Sequence, residues 1–140
     1  MASVYLDACC FIYLVEGTPR WRTEVEARLN ALAQSIAAVF LTSDLTRLEC
    51  RTKPLREKNA DLLRKYDRLL ASRELTVLSI SRSVVERATE LRAKYATLKT
   101  PDALHLAAAL VARADRFVTG DKSLGVCSEI SVEILRAADH

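Results

Sequence analysis

Short apolar, β-favouring runs punctuate the chain at Ser3–Leu6, Ala38–Leu41, Leu75–Leu78, Arg116–Thr119 and Ser131–Leu135. Between them, apolar residues recur at helical spacing. Strands that alternate with helices pair side by side in one direction, because each helix carries the chain back to the edge it left. The pattern therefore predicts an α/β fold with a central, mostly parallel sheet of about five strands, flanked by helices on both faces. Helix starts are signalled at Thr18-Pro19 and Thr100-Pro101, each an N-cap followed by a proline whose missing N–H costs nothing there. Ser83 with Glu86 has capping-box spacing, and Ser43 is placed to cap a helix through Leu45, Leu48 and Glu49. Trp21, Val25, Leu29 and Leu32 form one apolar stripe, and Leu62, Leu63, Tyr66, Leu69 and Leu70 another. Such stripes are normally core, and Trp21 is expected to pack.

With 140 residues, half of them hydrophobic, the chain can bury a core without disulfides or structural metal. Only three Gly and three Pro occur, with no repeat or low-complexity stretch, so a single domain over residues 1–140 is expected. No apolar run approaches the roughly 20 residues that span a bilayer, and the start lacks a basic n-region before a long apolar stretch. The expected location is the cytoplasm, without membrane attachment. Cys9, Cys10, Cys50 and Cys127 have no C-x-x-C spacing and only two histidines accompany them, which indicates neither a zinc site nor a disulfide framework. They read as small reduced hydrophobes, with a redox role for the Cys9–Cys10 pair left open. Net charge is +3, but Arg47 to Arg73 holds nine Lys/Arg against four Asp/Glu, a local balance of +5. That suits either a polyanionic partner or a solvated helix face.

Two acids stand at strand ends: Asp7 directly after Ser3–Leu6, and Asp121 one glycine after Arg116–Thr119. In open parallel sheets, ligands bind at that edge. Asp102 lies in the first turn of a helix and Glu49 further along another. Taken singly, each is as well explained as a helix-dipole partner or a turn residue. Together they are acids set among apolar neighbours, as in Tyr5-Leu6-Asp7 and Pro101-Asp102-Ala103-Leu104. Two carboxylates about 5 Å apart repel by about 3 kcal/mol at an effective dielectric of 20, so a cluster of them takes up protons or a cation. Oxygen ligands without a His or Cys pair point to Mg²⁺ or Mn²⁺.

The segments YLDACCFIYL from Tyr5, TSDLTRLECR from Thr42, KTPDALHLA from Lys99 and FVTGDKSL from Phe117 resemble, in order, the four acidic motifs of PIN domains, as found in VapC-type toxin ribonucleases. The match covers nearly the whole chain. The resemblance implies a three-layer α/β sandwich and a metal-dependent endoribonuclease whose products carry 5′-phosphate and 3′-hydroxyl ends. It implies Asp7 and Asp102 as principal metal ligands, Glu49 beside them, and Asp121 supporting a second metal or an ordered water. Ser43 and Thr119 occupy positions where the family uses hydroxyls to orient these acids. RNA would bind through Arg47, Arg51, Lys53 and Arg56. The implied partners are RNA, a separately encoded antitoxin and a second copy of the chain in a homodimer. Cys9 departs from the family pattern, in which a small polar residue commonly follows the first acid by two positions. His105 is expected to pack or face solvent, and Asp44 to be a first-turn helix acid. The alternative from another class is a catalytically silent PIN-like module that binds RNA or protein. A receiver-type pocket fits poorly, since Asp7 stands alone, and no G-x-G-x-x-G follows the first strand.

Overall fold

The computed structural model describes residues 2–136. Five strands, β1 (Ser3–Leu6), β2 (Val39–Ser43), β3 (Leu75–Leu78), β4 (Arg116–Thr119) and β5 (Ser131–Ile134), form one sheet of order β3-β2-β1-β4-β5. Every neighbouring pair is parallel. Six helices connect them: α1 (Ala8–Glu16), α2 (Pro19–Ser35), α3 (Asp44–Arg56), α4 (Ala60–Leu70), α5 (Arg82–Lys94) and α6 (Thr100–Val111), with a short 3₁₀ turn at Lys122–Val126. The chain winds outward from β1 to β3, then returns to place β4 and β5 on the other side. The winding thus reverses between β1 and β4.

Two cores result, one on each face of the pleat. Val4, Leu6 and Val118 pack with Phe11, Val25, Leu32, Tyr66 and Leu70 of α1, α2 and α4. Tyr5, Leu41 and Phe117 pack with Val84, Leu91, Leu106 and Ala107 of α5 and α6. Successive strand residues point to opposite faces, so Val4 and Leu6 serve one core and Tyr5 the other. Each fully buried Leu or Phe contributes about 1.5–3 kcal/mol. Of the expected stripes, Val25, Leu32, Tyr66 and Leu70 are buried, whereas Trp21, Leu29, Leu62, Leu63 and Leu69 are only partly covered. Trp21 packs, stacking on Tyr13 with ring centres 4.4 Å apart.

The strand predictions hold, with three shifted ends, the first being the start of β2 at Val39 rather than Ala38. β2 runs to Ser43 although Thr42 and Ser43 are polar and fully buried, because the fold satisfies both hydroxyls. Thr42 donates to the Leu6 carbonyl at 2.8 Å, and Ser43 accepts from the Tyr5 hydroxyl at 2.8 Å. β5 ends one residue early, at Ile134. Thr18 caps α2 as expected, accepting from the Trp21 N–H. The other caps differ. Ser81, not Ser83, caps α5 by accepting from the Val84 N–H, and α6 opens at Thr100 itself with Lys99 before it. Ser43 precedes α3 but makes no side-chain cap, its hydroxyl being taken by Tyr5. Asn59, not anticipated, caps α4 through the Leu62 N–H at 3.1 Å. No helix among the described residues is long and apolar enough to cross a membrane.

Candidate active site

Asp7 ends β1 and opens α1, so its carboxylate emerges at the carboxyl edge of the central strand. Asp121 follows β4, the next strand across the reversal point, and opens the 3₁₀ turn by accepting from the Ser123 N–H at 2.9 Å. Asp102 lies in the first turn of α6, and Glu49 midway along α3. All four line one cavity of about 270 Å³ together with Ala8, Cys9, Ile12 and His105. Asp44 is exposed in the first turn of α3, outside that lining.

Thr119 donates to Asp7 Oδ2 at 2.5 Å while accepting the Asp121 N–H at 3.0 Å, and so links two of the acids. Cys9 donates to Asp7 Oδ1 and accepts the Gly120 N–H at 3.1 Å. Between β4 and Asp121 only glycine fits easily, since a Cβ on Gly120 would lie 2.5 Å from the Tyr13 hydroxyl. Burial pushes the Asp7 carboxyl well above the ordinary carboxylate range, and the adjoining Cys9 sulfur adds to the rise. Asp7 and Cys9 form one coupled pair in which two neighbouring anions are disfavoured. Asp102 is raised as well, first by burial and then by the charges of Asp121 and Glu49. Neither carboxyl forms an ion pair among the described residues, and Lys99 and His105 only partly offset the rise at Asp102, an electrostatic condition that a divalent cation relieves.

His105 is buried, and both its ring nitrogens are engaged. Nε2 lies 2.5 Å from Glu49 Oε1 and Nδ1 2.8 Å from the Tyr5 hydroxyl, which in turn reaches Ser43. The spacing from Asp102 is the one hint of this in the sequence, and the expectation of a mere packing or surface histidine misses the bridge. Ser43 thus reaches Glu49 only through Tyr5 and His105. Burial also pushes the Tyr5 phenol far up, so it remains a neutral hydroxyl.

The ligand-type atoms that lie within 4.8 Å of one another are those of Asp7, Cys9 and Cys10, not the four acids. Cys10 is fully buried with its thiol directed to the Val118 carbonyl, so of this group Asp7 and Cys9 face the cavity, where Glu49, Asp102 and Asp121 add three further carboxylates. A larger concavity, about 560 Å³, lies elsewhere, lined by Leu14, Val15 and Leu69 with Arg22, Lys65 and Arg68 at its rim. Of the basic residues expected to meet RNA, Arg51 pairs with Asp67 at 2.8 Å and Lys53 with Glu16 at 2.6 Å. Arg47 and Arg56 form no ion pair among the described residues.

An all-parallel α/β sheet that gathers acids from four separate elements at its switch point defines a protein built around a carboxylate-lined crevice. The chain belongs to the PIN domain family, which matches residues 4–127. No curated protein sequence matches it. Among solved structures it is similar to VapBC2 from Rickettsia felis bound to a promoter DNA fragment, with TM-score 0.79 and 17% identity over 96% of this chain and 99% of that one. A toxin-antitoxin complex from Klebsiella pneumoniae gives TM-score 0.72 and 22% identity, covering 93% and 95%. Mycobacterium tuberculosis VapC20, a sarcin-ricin loop cleaving toxin, gives TM-score 0.72 and 17% identity, covering 89% and 95%. At these identities the likeness establishes the fold.

Proposed function

We propose that this PIN domain is a Mg²⁺- or Mn²⁺-dependent endoribonuclease of the VapC type, the cytoplasmic toxin of a toxin–antitoxin pair. The observation that carries the reading is the convergence of Asp7, Glu49, Asp102 and Asp121 on one cavity at the sheet's switch point. The donor set fits a hard divalent cation: carboxylate oxygens, with the raised carboxyls of Asp7 and Asp102 in want of positive charge. Asp7 and Asp102 would hold the ion, Glu49 would complete the set, and Asp121 would support a second ion or an ordered water. When bound, such an ion acidifies water and offsets charge gathering on the phosphodiester oxygens. Thr119 keeps Asp7 oriented through its hydrogen bond. Arg47 and Arg56 attract the phosphate backbone, with Arg51 and Lys53 assisting when they exchange their carboxylate partners for phosphate. No side-chain nucleophile is required.

The partner claims rest on the resemblance to toxin–antitoxin complexes and on two surfaces. The groove over Leu14, Val15 and Leu69 offers an antitoxin an apolar floor. Leu48 and Leu55, 63% and 57% exposed and two turns apart on α3, offer a second copy an apolar contact. The decisive test is cleavage of single-stranded RNA by the purified chain with MgCl₂ or MnCl₂ and with EDTA. Cleavage should require the metal and fall by at least about 100-fold in Asp102→Asn, the loss expected when a directly acting ligand goes. Metal-independent cleavage, or full activity in the variant, would rule the site out. A well-folded chain that binds RNA without cutting it would favour the silent-module alternative.

A further inference from the structure

We propose that His105 is a positioning residue for the acidic cavity, holding the Glu49 carboxylate in one orientation while Tyr5 holds His105. The proposal rests on the nuclease reading above, in which Glu49 faces the cation.

Glu49 is only partly covered and projects from the middle of α3 on a side chain with three rotatable bonds. Left alone, such a carboxylate loses rotamer freedom each time it binds an ion. Across the cavity, His105 lies one turn after Asp102 on α6, and its Nε2 meets Glu49 Oε1 at 2.5 Å. The other ring nitrogen, Nδ1, meets the Tyr5 hydroxyl at 2.8 Å, and that hydroxyl meets Ser43 Oγ at 2.8 Å. The four groups form a line, Ser43–Tyr5–His105–Glu49, that crosses from β2 through β1 and α6 to α3. Packing immobilises the line. Tyr5 is fully buried and stacks on Phe117 at 5.2 Å, and its edge meets the His105 ring at 5.8 Å.

The order of partners sets the polarity of the line. A carboxylate only accepts, so Nε2 carries the proton that Glu49 receives. A charged ring gives its own Nδ1 proton to Tyr5, which donates to Ser43; a neutral ring takes the Tyr5 proton at Nδ1, and the Ser43 hydroxyl turns to donate to Tyr5. Either way Glu49 Oε1 is occupied. Oε2 has no hydrogen-bond partner among the described residues and stays available to a cation. A buried histidine needs partners for its ring nitrogens in any case; what sets this one apart is that one of those partners is a carboxylate that itself lines the acidic cavity. Hydrogen-bonded partners of metal-ligating groups commonly carry about 10- to 100-fold in metal affinity or activity, which is the effect expected here.

The test is Mn²⁺ binding to the full chain by titration calorimetry, alongside thermal melts and the RNA cleavage assay. His105→Phe keeps a ring but removes both hydrogen bonds, and should weaken Mn²⁺ binding by about 10- to 100-fold, with cleavage recovering as MnCl₂ rises. His105→Gln places an amide N–H near the Nε2 position and should restore most of the affinity. His105→Asn, whose amide reaches only the Nδ1 position, should not. In a Glu49→Gln background, His105→Phe should add little further loss, because the interaction it removes is already gone. Equal Mn²⁺ affinity in wild type and folded His105→Phe would overturn the proposal. So would equal weakening by Phe and Gln, or full additivity with Glu49→Gln. Should the Phe variant not fold, the contrast between Gln and Asn and the same cycle built with His105→Asn decide the matter. Wild type that neither binds Mn²⁺ nor cuts RNA overturns the nuclease reading and this inference together. Wild type that does both, loses both in Asp102→Asn and is indifferent to His105 overturns this inference alone.

Discussion

Asp7 receives a thiol and a hydroxyl where a buried carboxylate would ordinarily find a counter-charge, and Asp102 faces the charges of Asp121 and Glu49. Both carboxyls are raised, so each binds a proton more readily in the folded chain than in the unfolded one. Their stabilising contribution is therefore fully present only below the ordinary carboxylate pKa of about 3.9, and is lost as pH rises through the raised value. Above the raised values the metal-free protein carries the destabilisation in full. Asp102→Asn in EDTA should accordingly melt at the wild-type temperature or higher at neutral pH, and its stability should fall less steeply as pH rises above about 4. MnCl₂ should raise the wild-type melting temperature by an increment that grows with concentration and shrinks in the variant. If Asp102 merely complements the start of α6, the substitution costs about 0.3–1 kcal/mol instead and metal is irrelevant to both proteins. Melts across pH, with and without Mn²⁺, separate the two cases. At this scale the convergence of acids was legible because Asp7 and Asp102 interrupt apolar sequence and Asp121 follows a strand end. The role of His105 was not, because its partner Glu49 lies 56 positions away and meets it only when α3 and α6 assemble.

Among the elements, α3 combines the most tasks: Glu49 faces the cavity, Leu48 and Leu55 face outward, and the basic residues lie along its length. Its charge was readable from the sequence, but the pairing that consumes part of it was not. Asp67 sits on α4 and Glu16 on α1, and their approach to Arg51 and Lys53 is a product of tertiary packing. Arg47→Gln and Arg56→Gln should each lower the magnitude of the log–log salt slope of single-stranded RNA binding by roughly 0.7 for each phosphate no longer neutralised. Arg51→Gln and Lys53→Gln should lower it less, since their charges are already partly neutralised. Filter binding across a salt series gives the slopes; four identical to wild type would remove α3 from the RNA surface. The strands were legible because short β-branched and aromatic runs between turn residues have few alternatives. The starts of α2, α3, α5 and α6 were legible to within a residue or two, whereas those of α1 and α4 were not anticipated. Ser81 and Ser83 have the same capping chemistry, and local sequence does not say which hydroxyl reaches an N–H first.

For the whole molecule, the alternation of strands and helices was enough to predict a parallel sheet, and hence a crevice at strand ends. The order β3-β2-β1-β4-β5 was not specified by the pattern, yet it is what brings Asp7 and Asp121 to neighbouring strands. The half-covered stripes have a consequence at the same scale. Leu69 of α4 and Leu14 of α1 line both the 560 Å³ groove and an adjoining cavity of about 160 Å³ walled by Leu6, Phe11, Leu29, Phe40 and Leu75. The rim is mostly basic, with Arg22, Lys65 and Arg68 against Glu26. Such a surface suits an amphipathic segment with large apolar side chains and flanking acids. In the toxin–antitoxin reading that segment belongs to the antitoxin. Leu69→Glu puts a charge where an apolar side chain of the partner would seat, and forfeits the roughly 1.5–3 kcal/mol that burying such a side chain contributes. The Kd for the partner should then rise at least about 10-fold, since about 1.4 kcal/mol corresponds to a factor of 10. Arg68→Glu, exposed on the rim and remote from the core, should weaken binding too, more at low salt than at high. Calorimetric titration with the partner, on variants whose melts show them folded, measures both effects. Two folded variants that bind with wild-type affinity would place the antitoxin on some other face.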